Sequence, residues 1–446
     1  MTRRLLMVYD RFPPFNVSGT ARAFHFAKNL PAFGWTPIVL SGQPGRGDAQ
    51  DPAPLDLLPA EVRILRATPL LGPGKDQLAR WFNRKRSARQ TSADAMPRPA
   101  RSSESRRVFR PGSLAWRATG LPMWALEWHL DWAPPALARA LADSEARQVD
   151  LVWVSAPHVR NLFVGDTLSK ILNKPLVVDL RDPWTYGSLW LPRGSLVARV
   201  ERARATRILS RAARVVVTSP LTQRQMEQRF PEARFVTITN GFAADESVTP
   251  LRGLHPGKCL FRYIGVLNER RKPDPLLEGL ALACQTPGFR DKVHLEFVGG
   301  MAGHENKIAR LGLDDVVSSR GLVSFEESLR LMRGSDVNVV LQTISDGQDV
   351  IAGKTFEYLA AGKPILGIVS EQGGDAWLLG QVGGTHFARH DDPRQIAAAI
   401  GVCVSDFERG ARGPERQRLA AFERKHLTGT LAQLLDQVLA HHNSNA

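Results

Sequence analysis

The sequence predicts an α/β protein built from two doubly wound parallel sheets. Three observations carry that prediction. Strand-length runs are apolar almost throughout, the mark of strands buried on both faces. Helical patterns lie between several of them, which makes neighbouring strands parallel. The pattern also starts twice, on either side of the polar, Gly- and Pro-bearing stretch "NGFAADESVTPLRGLHPGK" (240–258).

The first series of runs is "LLMVY" (5–9), "PIVLS" (37–41), "DLVWVS" (150–155), "PLVVDL" (175–180), "RVVVTS" (214–219) and "FVTIT" (235–239). After Gly19 a helix is expected, with Ala23, Phe26, Ala27 and Leu30 on one face and Gly34 beyond its end. The second series is "CLFRYIG" (259–265), "HLEFVGG" (294–300), "DVNVVLQ" (336–342) and "PILGIVS" (364–370). Ser324 and Glu327 match a capping box that opens a helix toward Met332. The expected organisation is an N-terminal domain over 1–245, a second domain over 246–420, and a C-terminal helix with a frayed tail over 421–446, joined by a linker near 245–258. No short internal repeat is visible.

A chain of 446 residues, 43% hydrophobic and 23% charged, suits two globular domains. It contains no run of eighteen apolar residues, so no spanning helix is expected. The opening "MTRRLLMVYDRFPPF" has too short an apolar run for a signal-peptide core and reads as a buried strand. Cys259, Cys284 and Cys403 lack metal-ligand spacing and cannot all pair, which points to a reducing, cytoplasmic setting.

The net charge of +15 is partly local. From Lys75 to Arg117 there are twelve Lys or Arg against three acids, and Trp81, Trp116, Trp124, Trp128 and Trp132 lie in or near this stretch. The basic, Trp-bearing insertion spans about 75–132, and its part over 87–113 is low in complexity. A solvated loop, docking on an anionic membrane and nucleic-acid binding all fit that composition. Membrane docking fits better than nucleic acid, because indole sits at headgroup depth while Arg and Lys meet lipid phosphate.

Ligands of open parallel sheets lie at the carboxyl ends of strands. The first such end runs into "YDRFPPFNVSGTAR" (9–22), where Ser18 and Gly19 open a helix whose amides suit a phosphate or an acceptor. "SAPHVRN" (155–161) places His158 after a strand, and "DLRDPW" (179–184) places Asp179, Arg181, Asp182 and Trp184 after another. Trp184 and Trp190 suit stacking on a sugar or lipid, or core packing. "YIGVLNERRKPDPLLEGL" (263–280) sets Arg270, Arg271 and Lys272 beyond a strand end, a pattern suited to bidentate bonds with a diphosphate. "DVIAGKTFEYLAAGKPIL" (349–366) places Ala352, Gly353 and Lys354 at a helix start, where free amides and the dipole favour phosphate. Glu357 follows one turn later, placed to accept two hydrogen bonds from a ribose diol. Together these imply a nucleotide diphosphate.

The motifs "GTAR", "SAPH…KPLVVDLRDPW", "ITNGF" (238–242), "YIGVLNERRKPDPLLEGL", "FVGG", "SRGLVSFEESLRLMRGSDV" and "GKTFEYLAAGKPIL" run in one order over nearly the whole chain. In this the chain resembles glycosyltransferase family 4 (glycosyl transferases group 1), retaining nucleotide-sugar enzymes of the GT-B fold. The resemblance implies two Rossmann-like domains facing across a cleft, with a C-terminal helix returning to the N-domain. It implies donor binding by the second domain and acceptor binding by the first, with Asp182 and Trp184 as acceptor-side candidates. Glu357 matches the second acid of the family's E-x7-E motif, which binds the donor ribose. The first position holds Asp349, one methylene shorter than Glu. Gly19, Gly265, Arg270, Arg271, Asp349, Ala352, Gly353, Lys354, Thr355 and Glu357 form the implied donor site. Arg271 best matches the diphosphate-binding arginine, with Arg270 as its rival. The family's following lysine is absent, since Leu277 and Glu278 stand there, and Lys354 or Lys272 would substitute. Arg271, Lys354 and His158 are the implied catalytic residues.

The implied reaction transfers a sugar from a nucleotide diphosphate sugar to an acceptor hydroxyl with retention. No metal or other cofactor is expected, nor is nucleic acid. A lipid-linked saccharide acceptor in cell-surface polysaccharide or lipopolysaccharide assembly would suit a cytoplasmic protein peripheral to the inner face of the membrane. Two alternatives stay open: a nucleotide-sugar 2-epimerase of the same fold, and a catalytically degraded protein that binds a glycan or a partner.

Overall fold

The computed structural model describes residues 2–17, 19–45, 47–70, 131–156, 159–182, 196–243, 248–252, 255–267, 271–301, 303–342, 349–411 and 413–444. Most of the basic insertion, including Trp81, Trp116, Trp124 and Trp128, lies outside these residues. Trp132, at its edge, is buried.

The first sheet holds β1 (Arg3–Val8), β2 (Trp35–Gly42), β3 (Arg63–Ala67), β4 (Leu151–Ala156), β5 (Leu176–Leu180), β6 (Arg214–Val217) and β7 (Phe235–Thr237). Their order is β3-β2-β1-β4-β5-β6-β7. β1 pairs in parallel with β2 and β4, β2 with β3, and β4 with β5. Around it run α1 (Thr20–Asn29), α2 (Ala133–Ala142), α3 (Ser144–Arg147), α4 (Val159–Ile171) and α5 (Leu196–Arg211); α6 (Pro220–Arg229) follows β6 in the chain. The helix expected after Gly19 is α1, and Ala23, Phe26 and Ala27 are buried on it.

The second sheet holds β8 (Cys259–Ile264), β9 (Val293–Val298), β10 (Val317–Arg320), β11 (Val337–Leu341), β12 (Ile365–Val369) and β13 (Thr385–Arg389). Their order is β10-β9-β8-β11-β12-β13, and the pairings are parallel. Its helices are α7 (Asp274–Ala283), α8 (Glu305–Arg310), α9 (Phe325–Gly334), α10 (Gly353–Ala361), α11 (Gly374–Val382), α12 (Pro393–Glu408) and α13 (Arg416–Leu419). α14 (Arg424–Ser444) ends the chain. Ser324 caps α9, its Oγ accepting from the Glu327 amide at 3.1 Å. No helix of the described residues is long and apolar enough to cross a membrane.

The chain divides into two compact units: 1–216 with 229–236 and 432–446, and 217–228 with 237–431. The long segment of the second unit begins at Thr237, and 217–228 belongs to that unit as well. α14 is one helix from Arg424, yet its residues from Ala432 onward belong to the first unit. There Asp436 accepts from Trp35 Nε1 at 2.8 Å and pairs with Arg3.

Strands β3, β10 and β13 were not expected. All three are sheet edges, and their sequences "RILRA", "VSSR" and "THFAR" mix polar with apolar residues. The ten expected strands were found through apolar runs, which an edge strand does not need. Interior strand β8 carries a charge, since its Arg262 is fully buried. Its Nε donates to Glu296 Oε2 at 2.6 Å, and its Nη1 donates to the carbonyls of Leu251 and Leu331, each at 3.0 Å. Arg320 donates to the other Glu296 oxygen at 3.2 Å. Beside this network the His255 and His294 rings stack with centroids 3.5 Å apart.

Candidate functional site

In the second sheet the strand order reverses between β8 and β11. A crevice at the carboxyl ends of strands is expected at such a switch point. Gly265 leaves β8 there with φ +144°, a conformation that suits glycine. A Cβ at Gly265 would lie 3.3 Å from Lys354 Nζ, so a small residue also makes room for that lysine.

Lys354 lies in the first turn of α10, and its Nζ sits 3.7 Å from the centroid of the Tyr263 ring. The amine is buried and has no hydrogen-bond partner among the described residues, while the rest of the residue is partly exposed. Burial pushes its pKa well down and Arg271 reinforces the shift; Asp375 opposes it. Tyr263 is itself buried, which raises its pKa to about 12 against the pull of Arg271. Tyr358 of α10 ties the helix to the end of β8: its hydroxyl accepts from the Ile264 amide at 2.9 Å and donates to the Ile264 carbonyl at 3.3 Å.

Asp375 holds the start of α10. Its Oδ1 accepts from the Ala352 amide at 3.1 Å and from Thr355 Oγ1 at 2.6 Å. Its other oxygen is buried without a partner among the described residues, and burial raises the pKa. Two members of the expected donor set, Ala352 and Thr355, are therefore engaged within the protein. Gly353 and Lys354 are the first two residues of α10, and amides at those positions have no intrahelical acceptor.

The two acids of the E-x7-E pattern also have protein partners. Asp349 is buried, and its carboxylate accepts from Thr222 Oγ1 at 3.2 Å. Its carbonyl accepts from Ser219 Oγ, and burial raises the carboxyl pKa. Glu357 Oε1 accepts from Arg424 Nη2 at 3.0 Å, with the two side chains 13% and 17% exposed. Arg424 also donates to the Gly241 carbonyl at 2.9 Å. Arg270 and His158 lie outside the described residues, as do Trp184 and Trp190.

In the first unit, Gly19 has φ +92° and precedes α1. A Cβ there would meet Arg181 Nη1 at 0.9 Å, so the guanidinium lies over the glycine at the helix start. Asp182 pairs with Arg181 at 3.5 Å and is half exposed. Asp179 does not follow β5 but sits inside it, buried, bound by Arg22 at 2.8 Å and by Ser155 Oγ at 2.9 Å. Asp10, at the end of β1, is held by Arg160 and by Asn161 Nδ2, the latter at 2.9 Å. Among the described residues no group of three His, Cys, Asp or Glu could hold a metal ion. The three cysteines are free and buried.

Sequence reasoning missed Asp375, Arg424 and Thr222. The triplet "GGD" ahead of the apolar "AWLL" marks a helix start, but nothing local says which donors the acid serves.

No family model matches the chain, and no curated protein does. Solved structures do. A sucrose-phosphate synthase from Thermosynechococcus elongatus aligns over 98% of this chain and 100% of its own, with TM-score 0.62 and 16% identity. HepE from Anabaena, solved with UDP and glucose, aligns over 98% and 100%, with TM-score 0.58 and 16% identity. The apo lipopolysaccharide outer core galactosyltransferase WaaB aligns over 97% and 99%, with TM-score 0.54 and 11% identity. The chain has the GT-B fold. At these identities the likeness speaks for fold alone.

Proposed function

We propose that this chain is a glycosyltransferase that moves a sugar from a nucleotide diphosphate sugar to an acceptor hydroxyl. The second unit would hold the donor. One observation carries the reading: a buried lysine amine without a hydrogen-bond partner stands at the switch point of the second sheet, beside Gly265 and within electrostatic range of Arg271. A buried polar group left unsatisfied calls for a ligand or another explanation. A diphosphate supplies both the charge and the acceptor oxygens. The first amides of α10 would meet the phosphates, while Arg271 and Lys354 would stabilise the charge that grows on the leaving diphosphate. Glu357 remains the residue proposed for the ribose, with Arg424 fixing its carboxylate. Retention follows from the family resemblance.

The neighbours' names support a nucleotide-sugar donor, since HepE was solved with UDP and with UDP-glucose. WaaB, by its name, acts on lipopolysaccharide. With the basic, Trp-bearing insertion, this favours a lipid-linked saccharide acceptor at an anionic membrane, reached from the cytoplasm.

A panel of UDP-, GDP- and ADP-sugars, read by thermal shift, tests the donor site. Saturation at about a hundred times Kd stabilises a protein by about 2.7 kcal/mol. One nucleotide series should raise Tm, and Arg271→Ala and Lys354→Met should each weaken the shift. Binding that survives both changes would place the site elsewhere. A second reading, binding without turnover, is favoured by Asp349, whose carboxylate is already bonded to Thr222. Nucleotide release that depends on an added acceptor would rule it out.

A further inference from the structure

The Lys354 amine is placed unlike an ordinary phosphate-binding lysine. Its Nζ is sealed from solvent and, among the described residues, donates to no carboxylate or carbonyl. β8 presents the ring of Tyr263, and the segment before α7 presents Arg271. α11 presents Asp375, whose Oδ1 is already occupied by Ala352 and Thr355. Its own helix carries Tyr358, which is bonded to Ile264. A buried ammonium is strongly disfavoured unless it is paired, and a second cation beside it adds to that cost. The Tyr263 ring, 3.7 Å away, offsets only part of that cost to a cation. The neutral amine avoids the cost.

From this arrangement we infer that Lys354 is uncharged in the empty site and takes one proton from solvent when a nucleoside diphosphate binds. The inference rests on the donor reading above and deepens it: donor capture is coupled to proton uptake. The balance is simple. One solvent proton joins the lone pair of Nζ, and the resulting ammonium donates to phosphate oxygens. The lowered pKa of Lys354 agrees with this. Both tyrosines are shifted upward and stay protonated through the relevant range. The sign follows from linkage. Binding raises the pKa of the amine, so affinity is highest below the free-state value and falls as pH rises through it.

Isothermal titration calorimetry of the full chain with UDP, GDP and ADP, in buffers of different ionisation enthalpy, tests the inference. The work is done above about pH 7.5, where a terminal phosphate with a pKa near 6 is already ionised. The expected result is an uptake approaching about one proton per bound nucleotide, with log Kd rising by up to about one unit per pH unit. Lys354→Met should bind more weakly, with no uptake. Lys354→Arg keeps a permanent charge and should bind with no uptake and a flatter pH dependence. Nucleotide binding with no net uptake in the parent chain, as an internal transfer from Asp375 would give, overturns the inference and leaves the donor site standing. Unchanged uptake in Lys354→Arg assigns the proton to another group and also overturns it. If none of the nucleotides binds, the donor reading falls as well.

Discussion

Asp375 offers the sharpest test of how the start of α10 is held. Replacing it by Ala leaves the Ala352 N–H and the Thr355 hydroxyl without their acceptor, in a place where Asp375 and Thr355 are both 0% exposed. A buried donor left unsatisfied costs about 1–3 kcal/mol. Two such losses are offset in part because a desolvated carboxylate is removed as well. The net expectation for Asp375→Ala is a loss of about 2–4 kcal/mol. Asp375→Asn keeps a carbonyl oxygen for both donors and removes the ionisable group. The carboxyl pKa of Asp375 is raised by burial. This group therefore favours folding below the ordinary carboxylate range, and that contribution is lost as pH rises through the raised value. At neutral pH, Asp375→Asn should be as stable as the parent or more so. Urea midpoints for the three proteins at pH 5 to 8 measure the difference. Equal stability of the Ala and Asn variants would refute the reasoning, because it would mean the two hydrogen bonds hold nothing.

Two further outcomes follow from other pairs. Arg424→Met leaves the Glu357 carboxylate without its 3.0 Å partner and should cost about 3 kcal/mol. Glu357→Gln combined with Arg424→Met should cost less than the two single changes summed, as a urea double-mutant cycle would show. His294, buried and stacked on His255, has its pKa pushed down to about 4 by burial and by that neighbour. A lowered histidine pKa means the unfolded chain binds the extra proton, so stability should fall as pH drops from about 6.5 toward about 4. His294→Asn should flatten that slope in urea titrations, and an unchanged slope would assign it to other groups.

The interior of both sheets was legible in the sequence because interior strands must be apolar on both faces. "LVVDL" and "VNVVL" announce themselves even with a polar residue inside. Three of the four edge strands were not legible, since "RILRA", "VSSR" and "THFAR" mix polar with apolar residues. In the site, the local features were readable: a glycine after β8, cations beyond it and a helix start at Gly353. The partners of the acids were not. Asp349 meets Thr222 across 127 positions, and Glu357 meets Arg424 across 67. No periodicity or motif spacing reports such a pairing. The same distance hid Asp375, which accepts from an amide 23 residues earlier and a hydroxyl 20 residues earlier.

Arg262 has a consequence for how this chain can drift over generations. Its guanidinium is locked to Glu296 and to two main-chain oxygens inside the second sheet. Losing either charged member alone strands the other in a dry interior, whereas exchanging both for apolar groups of similar volume is often neutral or favourable. The intermediate genotypes are the barrier, not the destination. Positions 262 and 296 should therefore stay fixed for long spans and then change together. Arg320, which shares Glu296, should be released from its charge when they do.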